Sequence, residues 1–219
     1  MRLARAVSLL LFVVLGCYAL LLATEDRDQG SVRAIETRLE LRQAVTIGQL
    51  ASAAELALGT AARDCRSNIL RPALAVSLYN LNRFNQAVDY DAWAAAHADE
   101  QAFIAAMIRC RPVDGNAWLR DALVTRAIAE DPVSLKAKMT LASQLMPYEE
   151  TQVSARLFLW KRLSPYALSV CADLARADVR AVLLYGTQSM KKSLMEGMSA
   201  PFATLLKSEV STTALYSKS

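Results

Sequence analysis

Apolar residues recur three and four apart along most of this chain, with Ala and Leu predominating, and that spacing is the signature of helices. Sustained period-two runs of β-branched or aromatic residues are missing, and Asp114-Gly115 is not flanked by any, so strands are not expected. The pattern predicts helices over roughly 31–44, 47–63, 67–81, 84–97, 100–110, 116–130, 132–145, 149–163, 165–184 and 188–196. Local chemistry sets several starts. Thr46 and Gln49 match a capping box. Asn116, Asp131 and Ser164 are good N-caps, with Pro132 and Pro165 at the first helical position after the last two. Gly186 can close one helix in a left-handed conformation and Thr187 can cap the next. The polar end, residues 208–219, reads as a flexible tail.

One segment is apolar on every face. Residues 6–23 read AVSLLLFVVLGCYALLLA, eighteen positions without a charge. At the α-helical rise that is roughly 27 Å, close to the hydrocarbon thickness of a bilayer. Arg2 and Arg5 precede it and an acidic run, Glu25-Asp26-Arg27-Asp28, follows. The charge asymmetry keeps the amino terminus inside. The favoured organisation is a cytoplasmic stub (1–5), a transmembrane signal-anchor (6–23), juxtamembrane helices (24–66), a helical-hairpin domain (67–207) and the tail. A cleaved signal peptide is the second reading, and a lipoprotein attached at Cys17 the third, because Leu15-Gly16-Cys17 approximates a lipobox. All three place the chain after residue 24 outside the cytoplasm.

The 219 residues are 54% hydrophobic and 21% charged, too apolar for disorder. A net charge of +4, dispersed along the chain, argues against a nucleic-acid partner. His97 is the single histidine, which excludes sites needing two imidazoles; its ordinary role is that of an exposed or helix-end residue. No Cys-x-x-Cys pair exists, so zinc is not expected, and no cofactor is implied. Of the four cysteines, Cys17 lies in the apolar run and Cys171 reads as a core residue. Cys65 and Cys110 sit at helix ends, and an oxidising compartment would join them as a disulfide.

The carboxylate pairs Asp89/Asp91, Asp99/Glu100, Glu130/Asp131 and Glu149/Glu150 are one or two residues apart, so on a helix they diverge and make poor acid–base dyads. No catalytic residue is assigned. Aromatic residues are expected mostly in the core, with Tyr79, Tyr90 and Tyr166 as candidates for an interaction surface. Val32, Ile35, Leu39 and Arg42 form a stripe just beyond the apolar run that would dock the first helix on the domain or form a dimerisation stalk; docking is favoured.

An internal repeat is present. Asp131-Pro132-x-x-Leu135 with Leu141-Ala142 recurs as Ser164-Pro165-x-x-Leu168 with Leu174-Ala175, an offset of 33. Together with Leu74-Ala75-x-x-Leu78, Phe84, Ala87 and Ala94, and with Ala127 before Asp131-Pro132, this resembles degenerate tetratricopeptide units. The resemblance covers about residues 70–185. It implies an all-α superhelix of stacked antiparallel hairpins, whose grooves hold peptides or partner helices.

A second likeness rests on Arg109-Cys110-Arg111-Pro112-Val113-Asp114-Gly115-Asn116-Ala117-Trp118-Leu119-Arg120, then Pro147-Tyr148-Glu149-Glu150 and Leu157-x-x-Trp160-x-x-Leu163-Ser164-Pro165. This resembles small membrane-anchored proteins of Gram-negative bacteria found with exopolysaccharide biosynthesis loci. The resemblance implies a non-enzymatic scaffold or accessory subunit, single-pass in the inner membrane with a periplasmic domain. Its partners would be membrane lipid and polysaccharide-assembly components. The alternatives are a periplasmic glycan-modifying enzyme using a carboxylate pair, and an adaptor of a secretion or cell-division complex. The oligomeric state is left open.

Overall fold

The computed structural model describes residues 2–60 and 63–216, with the side chains of 11–20, 29–60 and 63–211. Among the described residues the fold is all-α, with no strand. The helices are α1 (Arg2–Glu40), α2 (Ile47–Thr60), α3 (Ser67–Leu81), α4 (Tyr90–Cys110), α5 (Gly115–Ile128), α6 (Pro132–Leu145), α7 (Glu150–Trp160), α8 (Pro165–Val170), α9 (Ala172–Tyr185), α10 (Gln188–Met195) and α11 (Ala200–Tyr216). They form two compact units, Met1–Ala96 and His97–Ser219, with the boundary inside α4. The single hairpin domain expected over 67–207 is therefore divided, and α3 belongs with α1 and α2.

In the first unit α2 and α3 form a hairpin that carries the distal half of α1. Ala53, Ala54 and Ala57 are buried on α2 against a face of α3 that buries Ile69, Leu70, Ala73, Leu74 and Val76. Alanine at three successive inward positions lets the helix axes approach closely, while the branched residues opposite fill the groove. Val32 and Ile35 of α1 are buried on this hairpin, the docked arrangement that their spacing favoured. Helix α1 ends in a Schellman motif: Arg42 N–H donates to the Leu39 carbonyl (3.0 Å) and Gln43 N–H to that of Arg38 (2.8 Å). Arg42 holds the left-handed position, at φ 54°. Thr46 and Gln49 then form the reciprocal capping box, at 3.1 and 3.3 Å.

In the second unit α5 and α6 are a hairpin, α7 lies beside α5, and α8 and α9 lie beside α6. Helix α11 closes over α8 and α9. The core runs from Leu119 to Leu206 and includes Met139, Leu157, Trp160, Val179 and Phe202. The 33-residue repeat is visible here. Asp131 and Ser164 both cap, Pro132 and Pro165 both open helices, Leu135 and Leu168 are both buried, and so are Ala142 and Ala175. Polar bonds of similar reach tie successive turns together. Gln152 donates to Asn116 (3.1 Å), Ser164 N–H to Glu130 (3.1 Å) and Thr187 to Glu150 (3.2 Å), across separations of 34 to 37 residues.

Several boundaries differ from expectation, each for a local reason. Helix α4 starts at Tyr90, not at 84, because Asn85 and Asp89 turn their side chains onto the backbone N–H groups of Ala87 (2.9 Å) and Ala92 (3.0 Å). It then continues unbroken past Ala98, whose alanine-rich surroundings hold no breaker. The cap of α5 is Asp114, not Asn116. The long helix expected over 165–184 breaks at Cys171. Gly186 is not left-handed but extended (φ −68°, ψ 150°); a Cβ there would stand 2.6 Å from the Val182 carbonyl oxygen. The segment from Ser208 to Tyr216 continues α11 rather than fraying. Burial of Phe202, Leu205 and Leu206 explains this, each contributing about 1.5–3 kcal/mol.

Candidate functional site

Helix α1 carries the most distinctive surface in the molecule. Every residue from Leu11 to Leu20 is exposed, with Phe12 at 73% and Leu20 at 68%, and no other element covers them. A helix apolar around its whole circumference is stable only inside a core or a membrane. Among the described residues no helix is long and apolar enough to cross a membrane; of the span expected at 6–23, the side chains of 6–10 and 21–23 lie outside that description. The helical backbone nevertheless runs without interruption from Arg2 through the acidic residues 25–28 to the docked residues Val32 and Ile35.

The three candidate interface tyrosines are all exposed, Tyr79 at 48%, Tyr90 at 59% and Tyr166 at 68%, but they are divided between the two units. Tyr79 and Tyr90 belong to the first unit and Tyr166 to the second. Exposed apolar residues that the sequence reading missed accompany the first two in their unit: Leu41, Ile47 and Val88. Arg83 ties this end together, donating to Asn80 (2.7 Å) and the Ile47 carbonyl (3.4 Å) with its guanidinium 5.9 Å from the Phe84 ring. In the second unit Val133 and Tyr166 are equivalent residues of the repeat, each exposed one position after its proline. The expectation that aromatics pack inside holds for Trp93, Phe103, Trp160 and Phe202, whereas every tyrosine with a described side chain is exposed.

The paired carboxylates are occupied by backbone and hydroxyl donors. Asp131 accepts from Val133 N–H (3.0 Å), Glu149 from Gln152 N–H (2.9 Å), Glu130 from Ser164 N–H, and Glu150 from the Thr187 hydroxyl. Asp99 is exposed while its neighbour Glu100 is buried, as divergent directions on a helix require. Among the described residues no group of three or more His, Cys, Asp and Glu stands together as a metal site. His97 is not exposed or at a helix end; it is buried at 6% within α4.

Cys65 and Cys110 are the disulfide-bonded cysteines, and Cys17 and Cys171 are free. Burial pushes the Cys171 thiol up to about 11, with Lys136 opposing, so it stays protonated and unreactive near neutral pH.

The second unit also holds a buried polar network that periodicity did not reveal. Arg156, 1% exposed, donates through Nε and Nη2 to Asp178 (2.8–3.2 Å) and through Nη1 and Nη2 to the carbonyls of Met146 (2.9 Å) and Pro147 (3.1 Å). Trp160 Nε1–H donates to the same carboxylate at 2.8 Å. The guanidinium thus caps the end of α6 and the carboxylate neutralises it. Elsewhere in this unit, Arg120 donates to Asn116 (3.3 Å), and burial lowers its guanidinium below the usual range while Glu100 opposes that shift. Lys161 reaches the carbonyls of Ser193 and Glu196 (2.9 Å) and caps the end of α10. An Arg followed at i+4 by Trp on a helix, with an Asp 22 residues on, was the only sequence signal for the first network.

The longer resemblance motif resolves into caps and core. Asp114 caps α5, Trp118 Nε1–H donates to the Pro112 carbonyl (2.8 Å), and Glu149 and Ser164 cap α7 and α8. Leu157, Trp160 and Leu163 are buried. Gly115 is closely approached: a Cβ would meet Met146 Cγ at 3.0 Å and Leu145 Cβ at 3.1 Å, so those side chains would have to give way. The tetratricopeptide-like positions divide. Leu74 is buried, but Ala127 is exposed and Ala87 lies in the loop before α4. No protein family, characterised protein or solved structure matches the chain.

Proposed function

We propose that this chain is a non-enzymatic, membrane-anchored scaffold of the bacterial envelope. The observation that carries the reading is the uncovered apolar surface of Leu11–Leu20, borne on the helix that docks through Val32 and Ile35. Exposed to water, ten consecutive residues of this kind have no stabilising partner; in hydrocarbon they need none. Arg2 and Arg5 before the run and Glu25, Asp26 and Asp28 after it favour a cytoplasmic amino terminus and a periplasmic domain. Disulfide-bonded Cys65 and Cys110 are in keeping with an oxidising compartment.

Beyond the membrane the helices act as stacked antiparallel hairpins of tetratricopeptide-like kind, a reading supported by the pairing of α5 with α6 and the placement of α7 and α8 beside them. The scaffold works by tethering, which raises the local concentration of its binding surfaces for envelope partners. Those partners are assigned to polysaccharide assembly or export on the strength of the motif from Arg109 to Pro165. Two experiments test this. A carboxyl-terminal reporter active only outside the cytoplasm is expected to be active, and a fusion active only in the cytoplasm overturns the topology. Cross-linking the full chain in membranes is expected to capture glycosyltransferase or exporter subunits; capture of secretion or division proteins instead would replace the assigned machine.

A further inference from the structure

Within the first unit the helix directions are set by two contacts. Arg33 Nη2 donates to the Asn68 carbonyl at 3.3 Å, which brings the start of the docked stretch of α1 to the start of α3. Arg83 just past the end of α3 donates to the carbonyl of Ile47 at the start of α2, which follows α1 by a short linker. Helix α1 therefore runs parallel to α3 and antiparallel to α2. It follows that the connection between α2 and α3, with Arg63 and Arg66, lies at the end of the unit from which the apolar part of α1 emerges. The end marked by Leu41, Ile47 and Arg83 is the opposite one.

The connection between α2 and α3 and the adjoining turns bring arginines to this end. Arg63 and Arg71 are exposed and Arg33 is half-buried. Arg63 caps α2 by donating to the Gly59 carbonyl (3.1 Å), and Arg66 pairs with Asp64. With that pair counted as neutral and Glu36 set against Arg33, whose charge acts on its carboxyl, Arg63 and Arg71 leave a charge of two at this end. Ten residues separate Ala23 from Arg33, which is about 15 Å of helix. The headgroup layer of a bilayer occupies about 5–7 Å beyond the hydrocarbon edge, and an arginine at the remaining height stands within about one Debye length of it. Guanidinium groups suit phosphate because they present paired donors.

From this geometry we infer that Arg33, Arg63 and Arg71 seat the first unit on anionic phospholipid headgroups. The inference rests on the membrane reading above. Glu25, Asp26 and Asp28 lie between the span and this surface in the chain, and the arginines act against their repulsion. Each basic residue near an anionic surface changes its local equilibrium by about fivefold.

The test uses the full chain in vesicles of phosphatidylglycerol or of phosphatidylcholine, with arginine modification by phenylglyoxal followed at each site by mass spectrometry. In phosphatidylglycerol the reaction at Arg63 and Arg71 is expected to slow about fivefold or more relative to phosphatidylcholine. Arg83, at the far end, should be unchanged, and about 1 M salt should abolish the difference. Equal rates at Arg63 and Arg71 in the two lipids overturn the inference, including the case in which these arginines pair with the acidic run instead. Flotation keeps the two questions apart. A chain that floats with both vesicles but shows equal rates refutes the headgroup contact alone, whereas one that floats with neither refutes the membrane reading and the contact with it.

Discussion

The two units of this protein are built from similar helices but are held together by different chemistry. In the first, among the described residues up to Ala96, the buried polar side chain is Ser77, which satisfies itself on the Leu74 carbonyl at 3.0 Å. Apart from Trp93 and Pro72 the rest is alanine against branched aliphatics, and stability depends on how closely α2 and α3 approach. The second unit buries Glu100, Asp114, Gln152, Arg156, Lys161, Asp178 and Glu209 alongside Trp160, Met139 and Phe202. Larger core side chains push helices apart and leave helix ends inside, where bare carbonyls are costly. Charged side chains then serve as internal caps: Arg156 for α6 and Lys161 for α10. Small-residue packing needs no such help, because close axes leave no room for buried ends.

The largest effect should come from the second unit. Asp178→Ala leaves the Arg156 charge uncompensated and the Trp160 indole without its acceptor, and is expected to cost about 3–5 kcal/mol in denaturant unfolding. Arg156→Leu combined with Asp178→Leu should cost less than Asp178→Ala alone, because no charge is stranded, though the Met146 and Pro147 carbonyls still lose their donor. A double variant as damaging as the single would place the importance in shape rather than charge.

In the first unit the sensitive property is volume. Ala57, 0% exposed on α2, should tolerate no enlargement, and Ala57→Leu is expected to destabilise by about 1–3 kcal/mol. An unchanged melting temperature would show that α2 and α3 are not closely packed.

A smaller difference should appear with pH. Burial raises the Cys171 thiol to about 11, so the unfolded chain loses this proton at lower pH than the folded one does. The contribution is fully present below the unfolded thiol pKa of about 8.5 and declines as pH rises toward 11. Stability of the wild type should therefore fall between pH 8 and 10.5 more than that of Cys171→Ala; equal falls would mean that the thiol is hydrated.

The smallest effect should be of opposite sign. Arg42 occupies the left-handed position that closes α1, and glycine there avoids a cost of about 1 kcal/mol, so Arg42→Gly should raise the melting temperature slightly.

Much of this architecture was legible from the chain because the signals were short-range. A capping box at Thr46–Gln49, prolines after Asp131 and Ser164, and apolar residues at helical spacing act within a turn or two, and each appears where it was read. Helix α11 was missed although its signal was of the same kind: Pro201 near the start, then Phe202, Leu205, Leu206 and Glu209 on one side. Its polar exposed face concealed that stripe. The loop at 85–89 was misread because Asn85 and Asp89 can cap or sit within a helix, and only the packing around them selects between the two. The candidate surface was partly legible. Tyr79, Tyr90 and Tyr166 are exposed, but their division between two units is a matter of long-range pairing.

By itself, then, the sequence determined that the chain is helical, where most helices begin, which residues repeat every 33 positions, and that one stretch is apolar on all sides. Those properties follow from backbone hydrogen bonding and side-chain spacing within a few residues. Tertiary structure alone decided that α3 sides with α1 and not with the later hairpins, that Arg156 finds Asp178 across 22 residues, and that Gly115 sits tightly against the end of α6. Such choices depend on which distant surfaces fill each other's volume and neutralise each other's charge, and no local pattern encodes the partner's position.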